Sequence, residues 1–247
     1  MRVAFSKPLA PGEFEILLAE FGPLGYKGLQ LKTGQFLPWL DVPGRFVSLT
    51  AGHPGAAAVL VYFDELDDGR LARVIDFAME VGSEMVVFCH NRSRQGITGA
   101  RRVALAEQLA VHGDRARKAG IRLSLHHHFD QPVMLPEDVR EFWGAIDADV
   151  IGLTVDTAHL AKSGVSDIPA FIREFASVID NIHLKDYADG EWRLVGEGDL
   201  DLDGILAALH EVGYDGWLCI DEESDASLAD GLRVSRTWLD QHLPSTA

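Results

Sequence analysis

Apolar positions along the chain switch repeatedly between two spacings. Phe14, Leu17, Leu18 and Phe21 fall at helical spacing, stop at Gly22 and Pro23, and give way to the short apolar run Gly28 to Leu31. That order predicts a helix followed by a buried strand. Leu71, Val74, Ile75, Ala78 and Val81 repeat the stripe, Gly82 stands where a C-cap belongs, and Met85 to Phe88 reads as the next strand. A helix from Val103 to Ala119 then stops at Gly120 before a strand from Ile121 to Leu125. Pro136 opens another helix carrying Val139, Phe142, Trp143 and Ile146, ahead of the strand Val150 to Val155. Pro169 to Val178 precedes Asn181 to Leu184, and Leu202, Ile205, Leu206, Leu209 and Val212 end at Gly213 before Trp217 to Ile220. Leu228, Leu232 and Leu239 suit a closing helix.

With Arg2 to Phe5 as the first strand there are eight candidate strands, provided that the stretch from Gly34 to Tyr62 supplies the second helix and the third strand. Phe46 to Thr50 and Ala58 to Tyr62 compete for that strand, and Pro38, Pro43 and Pro54 break up any helix there. Strands separated by helices pair in parallel through right-handed crossovers. The expected α/β fold is therefore a single (β/α)8 TIM barrel over residues 1–247, with a doubly wound open sheet as the alternative. The length fits eight units of about 30 residues each. No G-x-G-x-x-G leads a strand into a helix, so the open-sheet dinucleotide reading lacks its usual support.

Charge narrows the class of partner. The 247 residues hold 22 Lys and Arg against 38 Asp and Glu, a formal net charge of −16, and no basic cluster that would neutralise phosphates. Nucleic acid is disfavoured. No apolar run is long enough to cross a bilayer, and the opening MRVAFSKPLAPGEF has neither a long apolar core nor a small-residue cleavage site. Cys89 and Cys219 sit in strand-like runs without a C-x-x-C, which suggests reduced thiols rather than a disulfide or a metal pair. A soluble, cytoplasmic protein is expected.

In such a barrel the chemistry sits at the carboxyl ends of the strands. Those ends carry Ser6 and Lys7, Lys32, His90, His126 with His127 and His128, Asp156 with His159, His183 with Lys185, and Asp221. Each has a plainer reading as a solvated side chain, a helix cap at Asp156, or a surface ion pair at Lys185 and Asp186. Taken together, histidines at three ends and two acids form the ligand set of a divalent metal. Alternation along the strands places Ser124 in phase with His126, Gly152 and Thr154 with Asp156, and Cys219 with Asp221. Those small residues suit a barrel interior, which aims His126, Asp156 and Asp221 toward the axis. His127 and Glu222 then point away from it, and His128 lies just beyond its strand.

At this point the chain resembles the sugar phosphate isomerase/epimerase group of xylose-isomerase-like barrels. IGLTVDTAHL, with Asp156 and His159, is similar to that family's strand-six signature, and NIHLKDY, with His183, Lys185 and Asp186, resembles its His-x-Lys-Asp signature on strand seven. GEGDLDLDGILAALHEVGYDGWLCIDEES looks like the closing region, and GYKGLQL is similar to the second strand. The resemblance implies a metal held by one residue from each of strands five to eight, here His126, Asp156, His183 and Asp221. Asp156 and His183 match the family pattern. IRLSLHHHFD and WLCIDEES put His126 and Asp221 where the family usually has Glu, and branches with His-x-His on strand five, inosose dehydratases among them, are similar in this respect.

The expected function is that of a divalent-metal-dependent isomerase or epimerase, with Mn, Co, Zn, Fe or Mg as the ion. The metal would acidify the proton α to a carbonyl of a sugar or polyol-like substrate and stabilise an enediolate. Asp221, His128 and His159 are the candidate bases, in that order, and Lys185 or Arg193 the electrostatic or substrate-binding group, with His90 and Lys7 as further substrate contacts. Acids in the loops ADGEWRLVGEGDLD and EESDAS would repel a phosphate, so the substrate is expected to be unphosphorylated. The alternatives are an inosose-dehydratase-like lyase and a barrel that lost its chemistry and serves as a binding protein. The resemblance also makes a homo-oligomer an expectation.

Overall fold

The computed structural model describes residues 1–243, and residues 244–247 of the expected domain lie outside the described residues. Eight parallel strands close on themselves: β1 (Arg2–Ser6), β2 (Gly28–Lys32), β3 (Val59–Asp64), β4 (Met85–His90), β5 (Arg122–His126), β6 (Gly152–Asp156), β7 (Ile179–Leu184) and, after a small antiparallel hairpin of β8 (Asp186–Ala188) and β9 (Glu191–Arg193), the closing β10 (Trp217–Asp221). β10 pairs with both β7 and β1, which seals the ring. No helix among the described residues is long and apolar enough to cross a membrane.

Helix boundaries follow from local chemistry. Asp67 accepts from the Arg70 amide and starts Asp68–Val81, Thr98 caps Gly99–Lys118, and Pro136 opens Pro136–Trp143 at a position where no amide donor is needed. The same logic resolves the ambiguous stretch. Pro38 and Pro43 begin a short 3-10 turn (Leu37–Trp39) and a helix (Pro43–Thr50) instead of breaking helices, so Phe46 belongs to a helix and the third strand comes from the later run. Phe46 is fully buried, its ring 5.5 Å from that of Phe77. Gly55 makes the return to β3: its φ is +82° and a Cβ there would come within 2.3 Å of the Lys27 carbonyl oxygen.

The barrel interior is layered. Ala4, Val59, Val61, Met85, Val87, Trp217 and Cys219 form an apolar plug. Nearer the carboxyl ends lies a polar layer, in which Ser124 Oγ and Thr154 Oγ1 are 2.7 Å apart and Asn181 Nδ2 donates to Gln30 Oε1 at 3.1 Å. Above it stand the next residues in the same phase of three strands: His126, Asp156 and His183.

Gly152 has a specific task in this arrangement. The register between β6 and β7 slips between Leu153 and Thr154, and Asp180 is the extra residue. Its carboxylate fills the space where a Gly152 Cβ would be, only 1.5 Å from that position, and accepts from Arg122 Nε and Ser124 Oγ, each at 2.6 Å. Gly152→Ala displaces Asp180 from both donors and is expected to destabilise the protein by about 2–3 kcal/mol, read as a lower denaturant midpoint with unchanged slope. An unchanged midpoint contradicts this account of the β6 to β7 bulge.

Candidate metal centre

Three buried side chains from adjacent strands converge at the carboxyl mouth of the barrel. Asp156 Oδ2 lies 3.7 Å from His126 Nε2 and 3.6 Å from His183 Nδ1, and one donor atom from each of the three residues falls within 4.8 Å of the others. The rear of each group decides what faces inward. His183 Nε2 is 2.9 Å from Gln30 Oε1, an oxygen that also accepts from Asn181, so Nε2 carries the proton and Nδ1 presents a lone pair. His126 Nδ1 contacts Cys89 Sγ at 3.7 Å, and the thiol in turn reaches Gln131 Oε1 at 3.2 Å. Asp156 divides its two oxygens: Oδ1 accepts from the His159 amide at 2.8 Å and caps the helix Thr157–Lys162, while Oδ2 has no hydrogen-bond partner.

Asp156 Oδ2 and His183 Nδ1 are thus two buried acceptors, each without a hydrogen-bond partner, facing one another. A buried acceptor without a donor costs about 1–3 kcal/mol. A cation between them removes that penalty, and two imidazoles with a carboxylate suit Zn, Mn, Co or Fe. Burial pushes the His126 imidazole well below its ordinary value, which keeps it neutral and able to ligate. Burial works the other way on Asp156, but the neighbouring His159 and Lys185 outweigh it and hold the carboxyl well below the usual range.

The fourth expected ligand, Asp221, borders this group of three without belonging to it. Asp221 Oδ2 is 3.8 Å from His183 Nδ1, but both of its oxygens are taken by ammonium groups: Lys32 Nζ at 2.5 Å from Oδ1, and Lys185 Nζ at 3.4 Å from Oδ2. Glu223 bridges the same two lysines, 2.8 Å from Lys32 and in contact with Lys185. Burial would raise the Asp221 carboxyl; Lys32 and Lys185 outweigh it and drive it far below the carboxylate range. So depressed a carboxylate is a weak proton acceptor.

A roof covers the centre. The His128 and His159 rings lie 3.8 Å apart, and His159 Nε2 is 3.9 Å from Asp156 Oδ2. His128 Nδ1 donates to the Phe129 carbonyl at 2.8 Å, which leaves its Nε2 as a lone pair. Trp192, on the hairpin, packs 4.9 Å from the His159 ring and within 4.5 Å of both Lys185 Nζ and Lys162 Nζ. Above it a cavity of about 290 Å³ is lined by Arg193, Glu223 and Asp225, among others.

The remaining expected residues fall elsewhere. His127 faces outward, its Nε2 accepting the Asp156 amide at 2.9 Å, with burial pushing its pKa down to about 4. Lys7 is engaged by Glu222 at 3.4 Å and by the Ser224 carbonyl at 3.2 Å, on the side of β10 that points away from the centre. Arg193 reaches Asp189 at 3.7 Å on the rim of the mouth. His90 is in the opposite phase of β4 from Cys89 and lines a different cavity. Sequence reasoning gave Lys32 no role beyond closing a strand, counted Glu223 only among the loop acids that repel phosphate, and assigned no role to Gln30 or Trp192; the lysine at the end of GLQLK and the last acid of DEE were the available signals.

The comparisons with known proteins agree with this architecture. The family profile described as xylose isomerase-like TIM barrel matches residues 68–242. An inosose dehydratase from Lacticaseibacillus casei is 30% identical over a match covering 51% of this chain and 48% of the relative. The inosose dehydratase of Clostridium beijerinckii is 27% identical over the same shares. The chain thus spans about half the length of the curated relatives it matches. Among solved structures, the IolI protein with a bound zinc atom superposes with a TM-score of 0.81 at 19% identity over 97% of each chain. The 3-keto-D-glucoside 4-epimerase YcjR from E. coli gives 0.78 at 15% identity over 98% of this chain and 100% of that one. With the closed barrel, the site at its carboxyl mouth and a profile match over more than half its length, the chain belongs to the xylose isomerase-like TIM barrel family.

Proposed function

We propose that this chain is a divalent-metal-dependent enzyme that moves the proton α to the carbonyl of an unphosphorylated polyhydroxy compound, with isomerisation or epimerisation as the outcome. The observation that carries the reading is the set of facing donors on His126, Asp156 and His183, buried at the barrel mouth beside two ammonium groups. Those three residues would hold the ion, whose charge, when bound, polarises a carbonyl and acidifies the neighbouring C–H.

The chain's own residues supply the rest. Gln30 holds His183 in the ligating tautomer. His128 is the proton acceptor: its Nε2 is bare, burial pushes its pKa below the ordinary value, and it is neutral near pH 7. Lys185 and Lys32 present positive charge where an enediolate oxygen develops negative charge, and Asp221 and Glu223 fix both ammonium groups in place. Trp192, packed against Lys185, would shield that ammonium group from water. Glu191, Glu197, Glu223 and Asp225 line the cavity over the mouth against the single Arg193, a balance that disfavours a phosphorylated substrate.

A second reading is dehydration. It is supported by the relatives named inosose dehydratase and by the two ammonium groups, whose charge would stabilise a departing β-hydroxyl as it leaves. The two readings share proton abstraction and part at the fate of the enediolate.

Two experiments test the proposal. Elemental analysis after loading with Mn, Co, Zn or Fe is expected to find one ion per chain, abolished by Asp156→Ala and by His183→Ala and retained by His127→Ala. A chain that cannot be loaded supports the binding-barrel alternative instead. Incubation with a panel of ketoses and inososes in D2O is expected to wash deuterium into a carbon-bound position of at least one of them, and His128→Ala to slow this by roughly 10²–10⁴-fold with metal content unchanged. No exchange across the panel, or equal exchange in the variant, contradicts the assigned chemistry, and about a tenfold preference for a sugar phosphate overturns the unphosphorylated substrate.

A further inference from the structure

A cavity of about 370 Å³ opens beside the barrel instead of in its mouth, between the ends of β3 and β4 and the first half of the helix Gly99–Lys118. Its walls are chemically divided. Leu66, Ile97, Leu105 and Pro132 make an apolar side, while His90, Arg92 and Arg101 present nitrogen donors, with Glu65 the one acid of the lining. Leu66 is held there with φ at +67°, a left-handed conformation that costs a leucine about 1–2 kcal/mol and persists only where the surrounding structure fixes it.

Two features of the donor side point to a ligand. His90 is only 6% exposed, and its Nδ1 accepts from the Arg92 amide at 3.2 Å, so the ring proton is on Nε2. That N–H has no partner among the described residues, and the ring it belongs to lines the cavity. Burial pushes the imidazole below its ordinary value, which makes it a neutral donor. The second feature is the pair of guanidinium groups. The chain is strongly acidic, and neighbouring arginines are matched to carboxylates, Arg94 and Arg102 to Asp138 and Arg115 to Asp76. Arg92 and Arg101 have no carboxylate partner among the described residues, although acids outnumber bases in the chain.

The cavity is separate from the metal centre. Alternation along β4 turns Cys89 into the barrel, where it touches His126, and His90 out of it. We propose that this cavity is a second ligand site that takes a small organic anion, with its anionic head on His90 Nε2–H, Arg92 and Arg101 and its apolar part against Leu66, Ile97 and Leu105. A carboxylate and a phosphate monoester share the head chemistry, and a planar guanidinium pairs with either in two parallel hydrogen bonds.

Calorimetric titration of the metal-loaded full chain with benzoate, and separately with inorganic phosphate, tests the site and separates the two head groups. At least one probe is expected to saturate with a Kd of about 1 mM or below. The double variant Arg92→Ala/Arg101→Ala, which removes two exposed side chains without carboxylate partners, is expected to weaken that probe by about tenfold or more while keeping its metal content. Protein stripped of metal by chelation and dialysis is expected to bind the probe within about twofold of the loaded form. Failure of both probes to saturate, binding that survives the double variant, or binding lost on metal removal overturns the site; the last result would place the anion on the metal instead.

Discussion

Acceptor atoms that face one another in a buried barrel mouth are the constraint around which this structure is arranged. Asp156 Oδ2 and His183 Nδ1 are 3.6 Å apart, with His126 Nε2 at 3.7 Å from the same carboxylate oxygen. Each is turned inward by a contact at its rear: Gln30 behind His183, Cys89 behind His126, and the His159 amide on the other oxygen of Asp156. Such supporting contacts fix tautomer and direction, and they aim three separate polar residues at one point, a group that could hold a cation. The strands supply the rest, because parallel pairing sets His183 beside Asp156 in register and places His126 beside Thr154, one pleat below Asp156.

The second organising feature is a chain of alternating charge. Lys32 and Lys185 each contact both Asp221 and Glu223, so two cations and two anions close a ring at the edge of the metal group. Burying any one of these charges alone would cost several kcal/mol. In the ring each is compensated, and Asp221 is held as the counter-ion of both lysines. Trp192, on the hairpin, lies over Lys185 of that ring.

Much of this was legible in the sequence, and the reasons for the gaps are physical. Alternation of small residues with ligands on β5 and β6 correctly turned His126 and Asp156 inward and His127 outward, because the period of a strand is fixed. Asp156 looked ambiguous between helix cap and ligand, and it is placed for both, one oxygen for each. The third strand was ambiguous because Phe46 and its neighbours are apolar enough for either state, and only Pro43 at the first helical turn decides it. Gln30 and Lys32 went unassigned because their partners lie across the barrel, Asp221 being 189 positions from Lys32. No local spacing reports such a contact. Trp192 sits in a strand of three residues, too short for period to carry information.

X-ray absorption at the metal edge of the zinc- or cobalt-loaded protein tests the central claim most directly. The account predicts a first shell of nitrogen and oxygen only, with outer-shell scattering from two imidazole rings. A sulfur in the first shell, which would bring Cys89 forward as a ligand, or scattering from fewer than two imidazoles, would contradict it.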